Sequence, residues 1–216
     1  MPMTGMETAS YLMVVVYIVS FLAMNAILAR EAGRPVRLFA KGNGAQRLTA
    51  ALFRIGFAGA VLWPPLLPAF GNPVPRDPLA GALDGPWLDA LGHLLIVAGA
   101  CLAILAQRHM GASWRIGAAE GEIGPIVESG PFAISRNPVF LGQIVLFLGL
   151  FLVLPSLVQV TLTLAVLMAI RLQVAVEEHA LESSLGAPYR DYRARVRRWL
   201  GVKKRDRTII NANQSQ

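Results

Sequence analysis

Glu177 and Glu178 sit side by side just beyond an apolar run that ends at Ile170, in a tail that otherwise carries ten Lys and Arg from Arg171 onward. Carboxylates at a membrane interface suit a cationic ligand. Adjacent residues on a helix are rotated by about 100°, so both acids cannot point at one atom. One is expected to face a cation and the other to pair with a base such as Arg136 or Arg195. The plain alternative is a solvated acidic turn.

A second set of polar residues lies upstream, in Gly130-Pro131-Phe132-Ala133-Ile134-Ser135-Arg136-Asn137-Pro138. Asn is a favoured N-cap and Pro a favoured first helical residue, so Asn137-Pro138 is expected to open a helix. Its free backbone N–H groups suit a carboxylate or a ribose oxygen. Arg136 either snorkels to headgroups or clamps an acceptor's carboxylate or phosphate. Beyond the acids, Tyr189, Tyr192, Val196, Trp199 and Leu200 follow helical spacing among five arginines. That pattern predicts an interfacial helix with its aromatic face in lipid, either a plain anchor or a lid over the site. Other chemistries fit poorly. His93, His109 and His179 lack metal-ligand spacing, so no metal is expected. The lone Cys101 excludes a disulfide framework and a thiolate cage. Gly42-Asn43-Gly44 is too weak for a nucleotide fingerprint.

The elements that must position these residues are membrane helices. Of 216 residues, 55% are hydrophobic and 15% charged, against roughly 25% charged in soluble domains. The net charge of +7 beside long apolar runs points to a membrane surface rather than nucleic acid. Spans are expected at Tyr11–Ala29, Leu48–Phe70 and Trp87–Leu105. Arg54 in the second is expected to snorkel. Nothing basic precedes the first, so it reads as a span and not as a cleaved leader. Val139–Ile170 is too long for one crossing of a core about 30 Å thick, and Pro155 is expected to turn it into a tight hairpin. Its second arm is expected to run on through the acids until Gly186 and Pro188 stop it. Lys and Arg number five over Arg30–Arg47, one over Gly71–Pro86, three over Gln107–Asn137 and none at the hairpin tip. This alternation predicts five spans, with the N-terminus outside and the C-terminal arm cytosolic, in a bacterial-type inner membrane. The expected class is an all-α integral membrane bundle. Its parts are three spans in 1–106, a cytosolic loop, hairpin and arm forming the site in 107–207, and a disordered tail in 208–216.

GPFAISRNPVFLG from Gly130 to Gly142, then EEHALESSLGAPYRDYRARV from Glu177 to Val196, resembles the isoprenylcysteine carboxyl methyltransferase family. The wider group includes phospholipid N-methyltransferases and small-thiol methyltransferases. The family pattern is G-x-Y-x-x-x-R-H-P-x-Y-x-G, a hairpin, E-E, a leucine, a glycine and a tyrosine-rich basic end. GASWR, Gly111 to Arg115, resembles its upstream segment. The chain departs at Asn137 for histidine, Phe140 for tyrosine, and Arg197 where proline is common. The resemblance implies S-adenosylmethionine as methyl donor and a lipophilic acceptor from the bilayer. It implies cofactor contacts from Gly130, Pro131, Asn137, Pro138, Leu141, Glu177, Glu178 and Tyr189. It implies acceptor contacts from Trp114, Arg136 and Tyr192, and catalytic roles for Arg136, Glu178, Tyr189 and Arg195. Alternatives are a phospholipid headgroup N-methyltransferase, an NADPH-dependent lipid double-bond reductase and a non-enzymatic scaffold.

Overall fold

The computed structural model describes residues 5–33, 44–66, 77–83, 85–114 and 126–202. The side chains of 44–48 and 112 are outside the description, as are Arg115 and the tail expected at 208–216. The described residues form an all-helical bundle. Helix α1 is Gly5–Ala32, α2 is Gly44–Leu66, the short α3 is Pro78–Ala82, α4 is Pro86–Met110, α5 is Pro138–Val153, α6 is Leu157–Leu185 and α7 is Ala187–Arg195. Helices α1, α2, α4 and α6 are long and apolar enough to cross a membrane. With 16 residues, α5 is shorter and reaches about 24 Å.

Without a hydrophobic drive between helices in lipid, close packing decides which pairs form. Helix α5 lies antiparallel on α4 through glycines facing each other at two levels. A Cβ added at Gly99 would meet the Gly142 carbonyl at 2.5 Å, and one at Gly92 would meet the Gly149 carbonyl at 2.8 Å. Helix α6 packs instead along α2, where Gly56 approaches Val166 and Gly59 approaches Leu162. The hairpin expected from Pro155 thus exists as a chain reversal, but each arm finds its main partner elsewhere.

Polar groups tie α1 to the parallel α4 at both ends. Ser10 Oγ and His93 Nδ1 are 2.9 Å apart at one end. At the other, Gln107 Nε2 donates to Asn25 Oδ1 at 2.8 Å, and Arg108 pairs with Glu31. Such pairs fix the register of two otherwise apolar helices.

The helix ends follow from local chemistry. Ser156 caps α6 by accepting from the Gln159 amide. Asp77 accepts from the Leu79 amide with one carboxylate oxygen and from the Leu157 amide with the other, so the α2–α4 connection and the hairpin tip meet on one side. Gly186 ends α6 with φ 61°, and Pro188 stands in the first turn of α7.

The expected lipid-facing helix over Tyr189 to Leu200 is corrected here. Helix α7 ends at Arg195, and its tyrosines point inward, with Tyr189 1% and Tyr192 3% exposed. Val196 to Val202 forms a turn. It docks on the segment before α5 through the Arg136 amide to the Arg197 carbonyl and the Gly201 amide to the Ile134 carbonyl. Burial of two aromatic rings against Ile126, Leu181 and Leu185 outweighs what the lipid interface offers them.

Candidate functional site

The reversal from α5 to α6 brings Asn137 and Glu178 to the same end of the bundle. Asn137 stands at the N-cap position, but its side chain does not cap the helix. Its Nδ2 donates to Glu178 Oε1 at 3.2 Å and to the Arg198 carbonyl at 3.3 Å. Ser135 Oγ accepts from the Asn137 amide. The pull of a buried carboxylate has redirected the amide side chain away from its own helix.

Glu178 is the centre of a buried polar knot. Arg136 donates to its Oε1 from Nε at 3.2 Å and from a terminal nitrogen at 2.8 Å. Arg198 donates to Oε2 from Nε at 3.1 Å and from a terminal nitrogen at 2.7 Å. With Asn137 these make five hydrogen bonds, and a carboxylate offers about four lone-pair sites. The other terminal nitrogen of Arg136 donates to the carbonyls of Arg193 and Val196. The bond to Glu178 raises the already high pKa of Arg198 further. The knot therefore uses up Glu178 and Arg136 in joining α5, α6 and the C-terminal turn. Arg198, which sequence reasoning passed over, is its third charge. No spacing rule points to it, because the turn that returns it to the site is irregular.

Beside the knot lies a cavity of about 460 Å³, within the usual range for small-molecule sites. Of the residues singled out from sequence, Trp114, Arg136, Asn137, Pro138 and Glu177 are on its wall. Gly130, Pro131, Leu141, Glu178, Tyr189, Tyr192 and Arg195 are not. Glu177, rotated from its neighbour as helix geometry requires, lines the cavity and accepts from Gln173 Nε2 at 2.9 Å. Trp114 donates from its indole nitrogen to Asn25 Oδ1 at 2.6 Å and meets Phe21 edge to face. At the start of α5 the amides of Val139 and Phe140 have no backbone acceptor among the described residues, and both residues line the cavity. The opposite wall comes from α1 and α2, with Tyr17, Phe21, Asn25, Arg54 and Phe57, and sequence reasoning gave none of these a site role.

The residues off the wall have structural work. Tyr192 donates to the Phe132 carbonyl at 2.7 Å and holds α7 onto the turn before α5. Arg195 pairs with Glu128 at the surface. The Tyr189 phenol is pushed up to about 12, by burial first and by the nearby Glu178 charge second, against the opposing pull of Arg136, Arg193 and Arg198. It is a neutral phenol at ordinary pH and no base. Gly130 adopts φ 57° and packs on His109, where a Cβ would come within 2.6 Å of the ring. Among the described residues no three His, Cys, Asp or Glu gather as a metal site.

Chemically, the cavity offers one carboxylate, a pair of helix-start amides and an aromatic lining at one end, and a greasy wall at the other. No curated protein matches the chain. Residues 87–187, from the first turn of α4 to the start of α7, match the phospholipid methyltransferase (PEMT) family model, so just under half of the chain is similar to that family.

Proposed function

We propose that the chain transfers a methyl group from S-adenosylmethionine to a lipophilic acceptor at the inner face of a membrane. The observation that carries this reading is the placement of Glu177, an acid on the wall of a cavity that also exposes the first turn of α5.

The residues present fit that donor. Glu177 would hold its ammonium by a charge-assisted bond. The amides of Val139 and Phe140, at the positive end of α5, would hold its carboxylate. Trp114, Phe132 and Phe140 would face its flat adenine ring. When bound, S-adenosylmethionine supplies an electrophilic methyl whose bonding pair stays with sulfur as the acceptor's lone pair forms the new bond. The chain contributes positioning and exclusion of water, which suit a displacement that has little proton chemistry of its own. The knot around Glu178 holds Asn137, and with it the start of α5, against α6. Arg136 and Glu178 are thus positioning residues in this reading. Tyr189, Tyr192 and Arg195 support the arm that closes over the knot. The N-terminus outside and the site cytosolic follow from the distribution of Lys and Arg.

The test is incubation of the purified chain with labelled S-adenosylmethionine and total membrane lipid, read by mass spectrometry. A methylated lipid is expected, and it should vanish in Glu177→Gln. No labelled product, together with stabilisation by NADPH and not by S-adenosylhomocysteine, would replace the reading with a lipid reductase.

A further inference from the structure

Of the segments expected to lie in hydrocarbon, only the second carries a Lys or Arg, and that residue is Arg54. An ionised side chain inside a span is costly and usually has a partner. Arg54 Nε donates to the Ala50 carbonyl at 3.2 Å, one turn back on its own helix. No carboxylate among the described residues meets its guanidinium. The residue is exposed, and it lines the cavity.

Its level in the fold can be read from the glycine contacts. Gly59 faces Leu162 and Gly56 faces Val166 in the antiparallel α2–α6 pair. Continuing that register puts the Arg54 backbone near Met168, about 13 Å along α6 from Glu177. The guanidinium reaches back from there toward Ala50, one turn nearer to the level of Glu177, so the cavity carries an acid from α6 and a guanidinium from α2. Helix α1 packs on α4 and α2 packs on α6, and α1 and α2 do not run along each other. Ile18 and Leu22 of α1 and Phe53 and Phe57 of α2 line the cavity where these two helices part. These apolar side chains have a cation, Arg54, beside them. Gln143 and Gln173 also line the cavity.

We infer that Arg54 anchors the oxyanion, phosphate or carboxylate, of a lipophilic acceptor that enters between α1 and α2. This rests on the proposed methyl transfer and names the acceptor's class: a lipid with an acidic group and a nucleophile near it, tail left in the bilayer. The guanidinium holds the acidic group while the tail stays in the bilayer. The family-matched segment begins at residue 87, so this wall lies outside it.

The test compares the full chain with Arg54→Gln and Arg54→Lys in detergent. Native mass spectrometry would read retention of dioleoyl phosphatidylethanolamine, farnesylcysteine and the uncharged monoolein. Calorimetry with S-adenosylhomocysteine would run in parallel. Wild type should retain at least one of the two acidic lipids over monoolein. Arg54→Gln should weaken that lipid tenfold or more, Arg54→Lys should restore part of it, and monoolein and S-adenosylhomocysteine binding should stay within twofold. Retention of phosphatidylethanolamine identifies a lipid held by its phosphate, and retention of farnesylcysteine one held by its carboxylate. Equal retention by wild type and Arg54→Gln, or no preference of wild type over monoolein, would overturn the inference and leave Arg54 as a snorkelling residue. Loss of S-adenosylhomocysteine binding in Arg54→Gln would also overturn it, by showing a structural role. Absence of that binding in wild type would sink the methyltransferase reading, while the lipid comparison would still judge Arg54.

Discussion

Two neighbouring glutamates meet opposite fates. Glu178 points into the knot, where two arginines and an asparagine fill its lone pairs. Glu177 points into the cavity, beside a glutamine whose amide oxygen is unpaired. One residue of separation on a helix separates a charge buried in a knot from one that lines the cavity. The lesson is that an acidic pair at a membrane interface need not be a bidentate grip. Here one acid braces the helix start that the other faces across the cavity.

The largest expected effect is on the knot. Breaking a buried ion pair by removing one partner typically costs about 3–5 kcal/mol, because the other charges stay buried. Glu178→Ala should therefore lower the unfolding midpoint in detergent sharply and abolish ligand binding with it. A midpoint unchanged from wild type would show that the knot does not brace the fold. Next comes the cavity acid. Loss of a hydrogen bond to a charged group is worth about 1.5–3 kcal/mol. Glu177→Gln should thus weaken S-adenosylhomocysteine by roughly tenfold to a hundredfold, with an unfolding midpoint near wild type. If the two variants behaved alike, the contrast between them would fail.

Smaller effects refine the comparison. Trp114→Phe keeps a ring against Phe21 but loses the bond to Asn25, a change of about 1 kcal/mol. Chemical denaturation should detect it, and an unchanged curve would mean the indole bond is idle. Smallest of all is Tyr189→Phe. Its folded pKa stands above the unfolded value of 10.0, so whatever stability the neutral phenol brings is present below pH 10 and fades as pH climbs toward about 12. Between pH 6 and 9 the variant should keep the wild-type pH profile of methyl transfer. A missing limb in that range would make Tyr189 a base after all.

Much of the architecture was legible because lipid imposes it. Uninterrupted apolar length revealed α1, α4 and the α5–α6 run, and Pro155 and Gly186 marked real ends. The contacts between helices were less legible. Gly92, Gly99, Gly142 and Gly149 state that something comes close, but not what, and it took the fold to show that α5 rests on α4 rather than on α6. Helix α7 misled for a related reason. Its aromatic and basic spacing is the same whether the rings enter lipid or a protein pocket, and only the neighbouring Leu181 and Leu185 decide. In the site, local motifs marked Asn137 and Glu177, whereas Arg198, Asn25 and Arg54 join it through tertiary placement that no spacing encodes.

The central claim is that Glu177 binds the donor while Glu178 holds the structure. Calorimetric titration of S-adenosylhomocysteine into folded Glu177→Gln tests it most directly. The account predicts a dissociation constant at least tenfold weaker than wild type at an unaltered melting temperature, and an affinity equal to wild type would contradict it.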